Sequence, residues 1–136
     1  ARSANSPLSM KANPERTEKE VQEIHDEECV FFSLGSSTVS NKEKYKIESF
    51  ARRMLADKNL VATLIGHAND NGSRSFNLAV SDSRVTAVAE QLRKHGVQRS
   101  QIRKEARGSE RTPKSCRSGE CRLRSRRVEF VFTKKR

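Results

Sequence analysis

The segment Leu60-Val61-Ala62-Thr63-Leu64-Ile65-Gly66-His67-Ala68-Asn69-Asp70-Asn71-Gly72-Ser73 decides the fold. Its first six residues form a short apolar run with polar flanks, which predicts a strand buried on both faces. The run ends in a loop whose Asn, Asp and Gly residues tolerate positive φ. Downstream, Val85, Val88, Ala89 and Leu92 recur at helical spacing, and Gly96 after His95 supplies the stop. Upstream, Ile47, Phe50, Ala51, Met54 and Leu55 fall at i, i+3, i+4, i+7 and i+8, the apolar stripe of another helix. Ser40 stands where it would cap that helix, and Glu43 follows three residues on, as a capping box requires. Cys29 to Phe32 and Ile102 to Ala106 read as strands, and Gly108 to Glu120 reads as loop. Val128, Phe130 and Phe132, alternating with Glu129 and Val131, form the last strand. The order βαβαββ predicts an α/β sandwich of the α+β kind, one small mixed sheet packed against two main helices.

The chain has 136 residues, 28 Lys plus Arg against 17 Asp plus Glu, and a formal net charge of +11. This is the size of one domain with a tail. Residues 1–28 are expected to be a flexible tail, and residues 29–136 the domain. Within the tail, Glu15 to Glu28 has helical composition but only Val21 and Ile24 as apolar contacts, so a peripheral helix is expected there. Hydrophobic and charged residues are each 33% of the chain and Trp is absent, so the core must be small. No apolar run approaches the roughly 20 residues of a membrane helix. Ala1 to Pro14 lacks the apolar stretch of a secretory signal, so any membrane anchor is expected outside this segment.

Charge is concentrated at the C-terminal end. Residues 97–136 carry 14 basic and 4 acidic residues, whereas residues 1–28 carry 4 and 7. A basic patch of this kind suits nucleic acid, acidic lipid or anionic wall polymer, or is simply a solvated face. Nucleic acid is disfavoured because the basic segment has no interleaved exposed aromatics, Phe130 and Phe132 reading as core and Tyr45 being the only tyrosine. Cys116 and Cys121 bracket a Gly among Arg and Ser, a composition that suits a short disulfide and a compartment outside the cytosol. Zinc would require further ligands at other spacings. Cys29, next to Val30 and Phe31, reads as a small buried residue.

Catalytic constellations are missing from the sequence. His25, His67 and His95 lie in three different elements, none spaced with Cys, Asp or Glu as a metal set. No nucleophile elbow, phosphate loop or paired-carboxylate signature is present, so no enzyme and no cofactor are expected. His95 falls in a last helical turn, where the helix dipole favours a cation. The richest cluster is Asn69, Asp70 and Asn71 at the strand end, with Asn77, Ser81 and Arg84 on one side of the following helix. That side leaves Arg84 free to point at the loop, and an acceptor facing a guanidinium suits a zwitterionic ligand. A structural Asx-turn with a surface ion pair has the same signature.

The sequence from about Cys29 to Phe132 resembles the OmpA-like peptidoglycan-binding domain. The resemblance is carried by Gly66 to Ser73, then Phe76-Asn77, Val80-Ser81, Arg84-Val85, Ala87-Val88, Leu92, Gly96-Val97 and Arg126-Arg127-Val128-Glu129. Phe31-Phe32 with Gly35-Ser36-Ser37 is similar to the family's first strand and turn. The resemblance implies a βαβαββ sandwich that binds the peptide stem of peptidoglycan non-covalently and anchors an envelope protein or complex to the wall. It further implies a periplasmic location and other envelope proteins as partners. In the family a loop Asp and a helix Arg hold diaminopimelate, which implies ligand-binding roles for Asn77 and Arg84, with Gly66, His67 and Gly72 supporting the loop. The family's Gly-His-Thr-Asp reads Gly66-His67-Ala68-Asn69 here, with Asp70 one residue later. Either Asn69 serves as a neutral acceptor or Asp70 supplies the charge. The family's Asn-Arg-Arg-Val reads Ser125-Arg126-Arg127-Val128, which implies that Arg126 supports the pocket. Outer-membrane members carry a disulfide in the preceding loop, which fits Cys116 and Cys121. The alternative that keeps the fold is a scaffold domain of a secretion or motor complex.

Overall fold

The computed structural model describes residues 28–110, 112 and 116–135. The expected N-terminal tail and its peripheral helix lie outside these residues. The elements run β1 (Cys29–Phe31), α1 (Asn41–Ala56), β2 (Leu60–Gly66), α2 (Arg74–Lys94), a single 3-10 turn (Arg99–Gln101), β3 (Ile102–Ala106), α3 (Gly119–Ser125) and β4 (Arg127–Lys134). The strands form one sheet in the order β1-β4-β2-β3. β4 is antiparallel to both β1 and β2, and β2 is parallel to β3. The mixed sheet with two long helices is the sandwich that the periodicities predict.

The core is built from the residues the stripes single out. Ile47, Phe50 and Met54 from α1 and Val85, Val88 and Leu92 from α2 are buried with Ala62 and Leu64 of β2 and Val128 and Phe130 of β4. The Phe50 and Phe130 rings stack with centroids 4.1 Å apart. Fully burying each large apolar side chain contributes about 1.5–3 kcal/mol, so these few residues carry the fold. Cys29 is buried in β1, as expected. At the end of α2, His95 is the C-cap residue and Gly96 takes φ +98°, the left-handed stop its sequence position predicts.

Two local expectations are corrected. Ser40 occupies the N-cap of α1 in extended conformation but makes no side-chain cap. Glu43 instead turns toward the sheet, where its Oε1 accepts from the Phe31 amide at 3.0 Å and from Lys46 Nζ at 2.9 Å. Satisfying an amide of the three-residue strand β1 takes the place of the capping box. The second correction is α3, whose first two residues fall in the stretch that reads as loop and whose remainder the sequence assigns to no element. It is short, and Cys121 and Leu123 are too few apolar residues for a periodic signal. Its start is held locally, by Ser118 Oγ accepting from the Cys121 amide at 3.0 Å.

Candidate functional site

The site is built where β2 runs out and α2 begins. Gly66 ends the strand directly beneath α2: a Cβ there would lie 2.5 Å from the Ser81 carbonyl oxygen and 2.5 Å from Val85 Cγ2. Only hydrogen fits, so Gly66→Ala is expected to destabilise the domain by about 1–3 kcal/mol through overpacking, read as a lowered urea midpoint. Gly72 takes φ +146°, and a Cβ on it would meet the Phe76 ring at 2.6 Å. These two glycines set the approach of loop to helix.

Between them the loop is tied to α2 by side chains. Ser73 caps the helix, its Oγ accepting from the Phe76 amide at 3.1 Å. Asn77 is buried, and its Oδ1 accepts from the Asp70 amide at 2.8 Å while its Nδ2 donates to the Ser73 carbonyl at 3.0 Å. Ser81 Oγ accepts from the Gly108 amide at 2.9 Å and so joins the loop after β3 to the same helix. His67 is buried against β4, with Nε2 2.9 Å from Glu129 Oε1 and its amide donating to the Arg127 carbonyl at 2.8 Å.

Arg84 lies at the centre. Its side chain is fully buried, and each of the five N–H donors of a guanidinium has an acceptor. Nη1 donates to Asp70 Oδ1 at 2.9 Å and to the His67 carbonyl at 3.3 Å. Nη2 donates to Asp70 Oδ2 at 3.0 Å and to the Ser33 carbonyl at 3.1 Å, and Nε donates to the Ser36 carbonyl at 2.9 Å. Asp70 Oδ2 also accepts from the Gly35 amide, so the pair fastens the β1–α1 loop to the β2–α2 loop. Arg84 thus points at the loop as its helix face predicts, but its fork is already filled. A buried carboxylate and three loop carbonyls occupy its donors.

Above this buried layer opens a cleft of about 380 Å³, lined by Leu34, Asn69, Asn71, Cys116, Arg122 and Arg126 among others. Asn69 and Arg126, both singled out in the sequence, meet here; Asp70, Asn77 and Arg84 are buried and do not line it. Arg126 is half-buried at the C-cap of α3, and its Nε donates to the Phe32 carbonyl at 3.3 Å. Burial lowers the pKa of its guanidinium from the ordinary value; Asp70 opposes the shift, and the positive charges of Arg84 and Arg122 reinforce it. Asn71, part of the loop cluster the sequence points to, also lines the cleft, and Arg122 is a cleft residue that sequence reasoning missed. Arg122 stands four residues before Arg126, a spacing that would have paired them had α3 been recognised.

The Cys116–Cys121 disulfide is formed, with Cα atoms 5.6 Å apart. Cys116 Sγ lies 3.6 Å from Asn69 Nδ2, and Ser125 Oγ donates to the Cys121 carbonyl at 2.8 Å. The bridge therefore ties Cys116 to α3 and sets it against the Asn69 side chain. Cys116→Ser is expected to lower stability by about 2 kcal/mol, the entropic value for so short a loop, measured by urea unfolding against the oxidised wild type.

The fold is thus a mixed sheet that carries a loop tied to α2 and, beside that loop, a cleft with two arginines. The chain belongs to the OmpA family, whose model matches residues 31–126. It is 32% identical over 101 residues to the peptidoglycan-associated lipoprotein of Legionella pneumophila, covering 74% of this chain and 57% of that protein. Outer membrane protein 40 of Porphyromonas gingivalis is 27% identical over 104 residues, covering 76% of this chain and 27% of that protein. The chain spans little more than half the length of the Legionella lipoprotein. Among solved structures, the peptidoglycan-associated lipoprotein of Burkholderia pseudomallei superposes with a TM-score of 0.74 at 19% identity, covering 89% of this chain and 100% of that one. The C-terminal domain of Helicobacter pylori MotB gives 0.70 at 22% identity, covering 79% and 84%. Family membership makes this a non-enzymatic domain and is consistent with peptidoglycan association. No helix among the described residues is long and apolar enough to cross a membrane.

Proposed function

We propose that the domain binds peptidoglycan non-covalently and so anchors the protein that carries it to the cell wall on the periplasmic side. The ligand is the peptide stem of the diaminopimelate type, entering the cleft between Asn69, Asn71 and Arg126. The observation that carries this reading is Arg126 itself. Among the described residues, only its Nε is engaged, leaving both terminal nitrogens for a ligand carboxylate. Asp70, Asn77 and Arg84 tie the loop to α2, and Gly66, His67 and Gly72 shape the loop that presents Asn69. The likeness to peptidoglycan-associated lipoproteins supports the same ligand. Other envelope proteins would meet the domain through surfaces outside the cleft.

The surplus of Arg in residues 97–136 adds attraction to anionic wall polymers. Exposed charges are screened beyond about 8 Å at physiological ionic strength, whereas a half-buried contact is screened less. Cosedimentation with insoluble peptidoglycan at low and moderate salt is therefore expected to show a salt-sensitive and a salt-resistant component. Loss of all sedimentation at moderate salt would leave only a basic surface and reject the proposed site.

A further inference from the structure

We infer that the cleft selects for carboxylate and is indifferent to ammonium, so it takes stems whose side-chain amine is already acylated in a cross-link as readily as free ones. The inference rests on the peptidoglycan reading and sharpens it. Among the described residues the polar side chains lining it are Arg122, Arg126, Asn69 and Asn71, two cations and two neutral amides, with no carboxylate. The one acid of the loop, Asp70, is turned inward, its side chain 2% exposed and both oxygens on Arg84.

Two guanidiniums four residues apart repel each other across the α3 turn, and an anion between them relieves that repulsion. An ammonium in the same place would add a third positive charge. Asn69 offers it only a neutral acceptor, without the charge assistance that makes such hydrogen bonds roughly twice as strong. An amine converted to an amide by cross-linking loses its charge and so loses nothing at this site, whereas amidating the stem carboxylates removes the attraction to both arginines.

The test is calorimetric titration of the oxidised domain with three soluble diaminopimelate stem peptides: the parent, the same peptide acetylated on its side-chain amine, and the same peptide with its carboxylates converted to carboxamides. Acetylation is expected to change Kd by less than about threefold and amidation to weaken it by tenfold or more. Asn69→Asp is expected to create a preference of about tenfold for the free amine, since it supplies the missing charge. A tenfold loss on acetylation with the parent still bound overturns the inference and leaves the peptidoglycan reading intact, as does equal binding of the amidated peptide. Failure of all three peptides while salt-resistant sedimentation persists puts the wall ligand outside the cleft and overturns the inference. Failure of the peptides and of that sedimentation overturns both. Inorganic phosphate displacing the parent peptide at equal concentration would mean a simple anion site and also overturns it.

Discussion

Arg84→Ala is expected to lower folding stability by about 3–5 kcal/mol, the range for removing one partner of a buried ion pair. The loss is large because the substitution leaves more than a missing contact. Asp70 would remain as a buried carboxylate without its counter-ion, and the carbonyls of Ser33, Ser36 and His67 would lose their donors. Each orphaned buried acceptor adds to the destabilisation. Arg84→Lys is expected to rescue little, because an ammonium offers three donors and no planar fork for the two Asp70 oxygens. The double variant Arg84→Ala with Asp70→Ala should be less destabilised than the sum of the two single changes, since it removes the uncompensated charge. Urea unfolding of the four proteins gives the coupling directly. Additive losses would mean that the pair does not act as a unit. A practical consequence is that lost wall binding in Arg84→Ala would report lost loop structure as readily as lost ligand contact.

Arg126→Ala is expected to behave in the opposite way. Its guanidinium is half-buried and, among the described residues, makes one hydrogen bond through Nε to the Phe32 carbonyl. The stability change should therefore stay near 1 kcal/mol, the net worth of such a bond. Binding should suffer more, because hydrogen bonds to a charged group contribute about 1.5–3 kcal/mol, or roughly tenfold to a hundredfold in Kd. Calorimetric titration with a soluble stem peptide separates the two effects. Arg122→Ala, at an exposed position, should weaken binding by less than Arg126→Ala and should make it less sensitive to salt.

The contrast between these arginines shows how much of the site the sequence discloses. Periodicity placed Arg84 and Asn77 on the side of α2 that faces the loop, and it placed Val85, Val88 and Leu92 in the core, because a long helix repeats its pattern often enough to read. It could not say which of Asn69 and Asp70 faces outward. Their neighbours decide that: Asp70 goes to the dry side because Arg84 is there to neutralise it, and Asn69 is left at the cleft beside Cys116. Arg122 was hidden for a different reason. A seven-residue helix held by a serine cap and a disulfide needs no apolar stripe, so nothing in its sequence marks the face it presents. Glu43 likewise obeyed the spacing of a capping box while serving the β1 amide, since capping and strand satisfaction draw on the same carboxylate.

The proposed division of labour, a structural Arg84 and a ligand-facing Arg126, is tested most directly by cosedimentation of Arg126→Ala with insoluble peptidoglycan at moderate salt, beside wild type. Both proteins should first be shown to unfold at closely similar urea concentrations. Wild type in the pellet with Arg126→Ala left in the supernatant is the predicted result. Arg126→Ala pelleting as wild type does would contradict the account and move the wall contact away from the cleft.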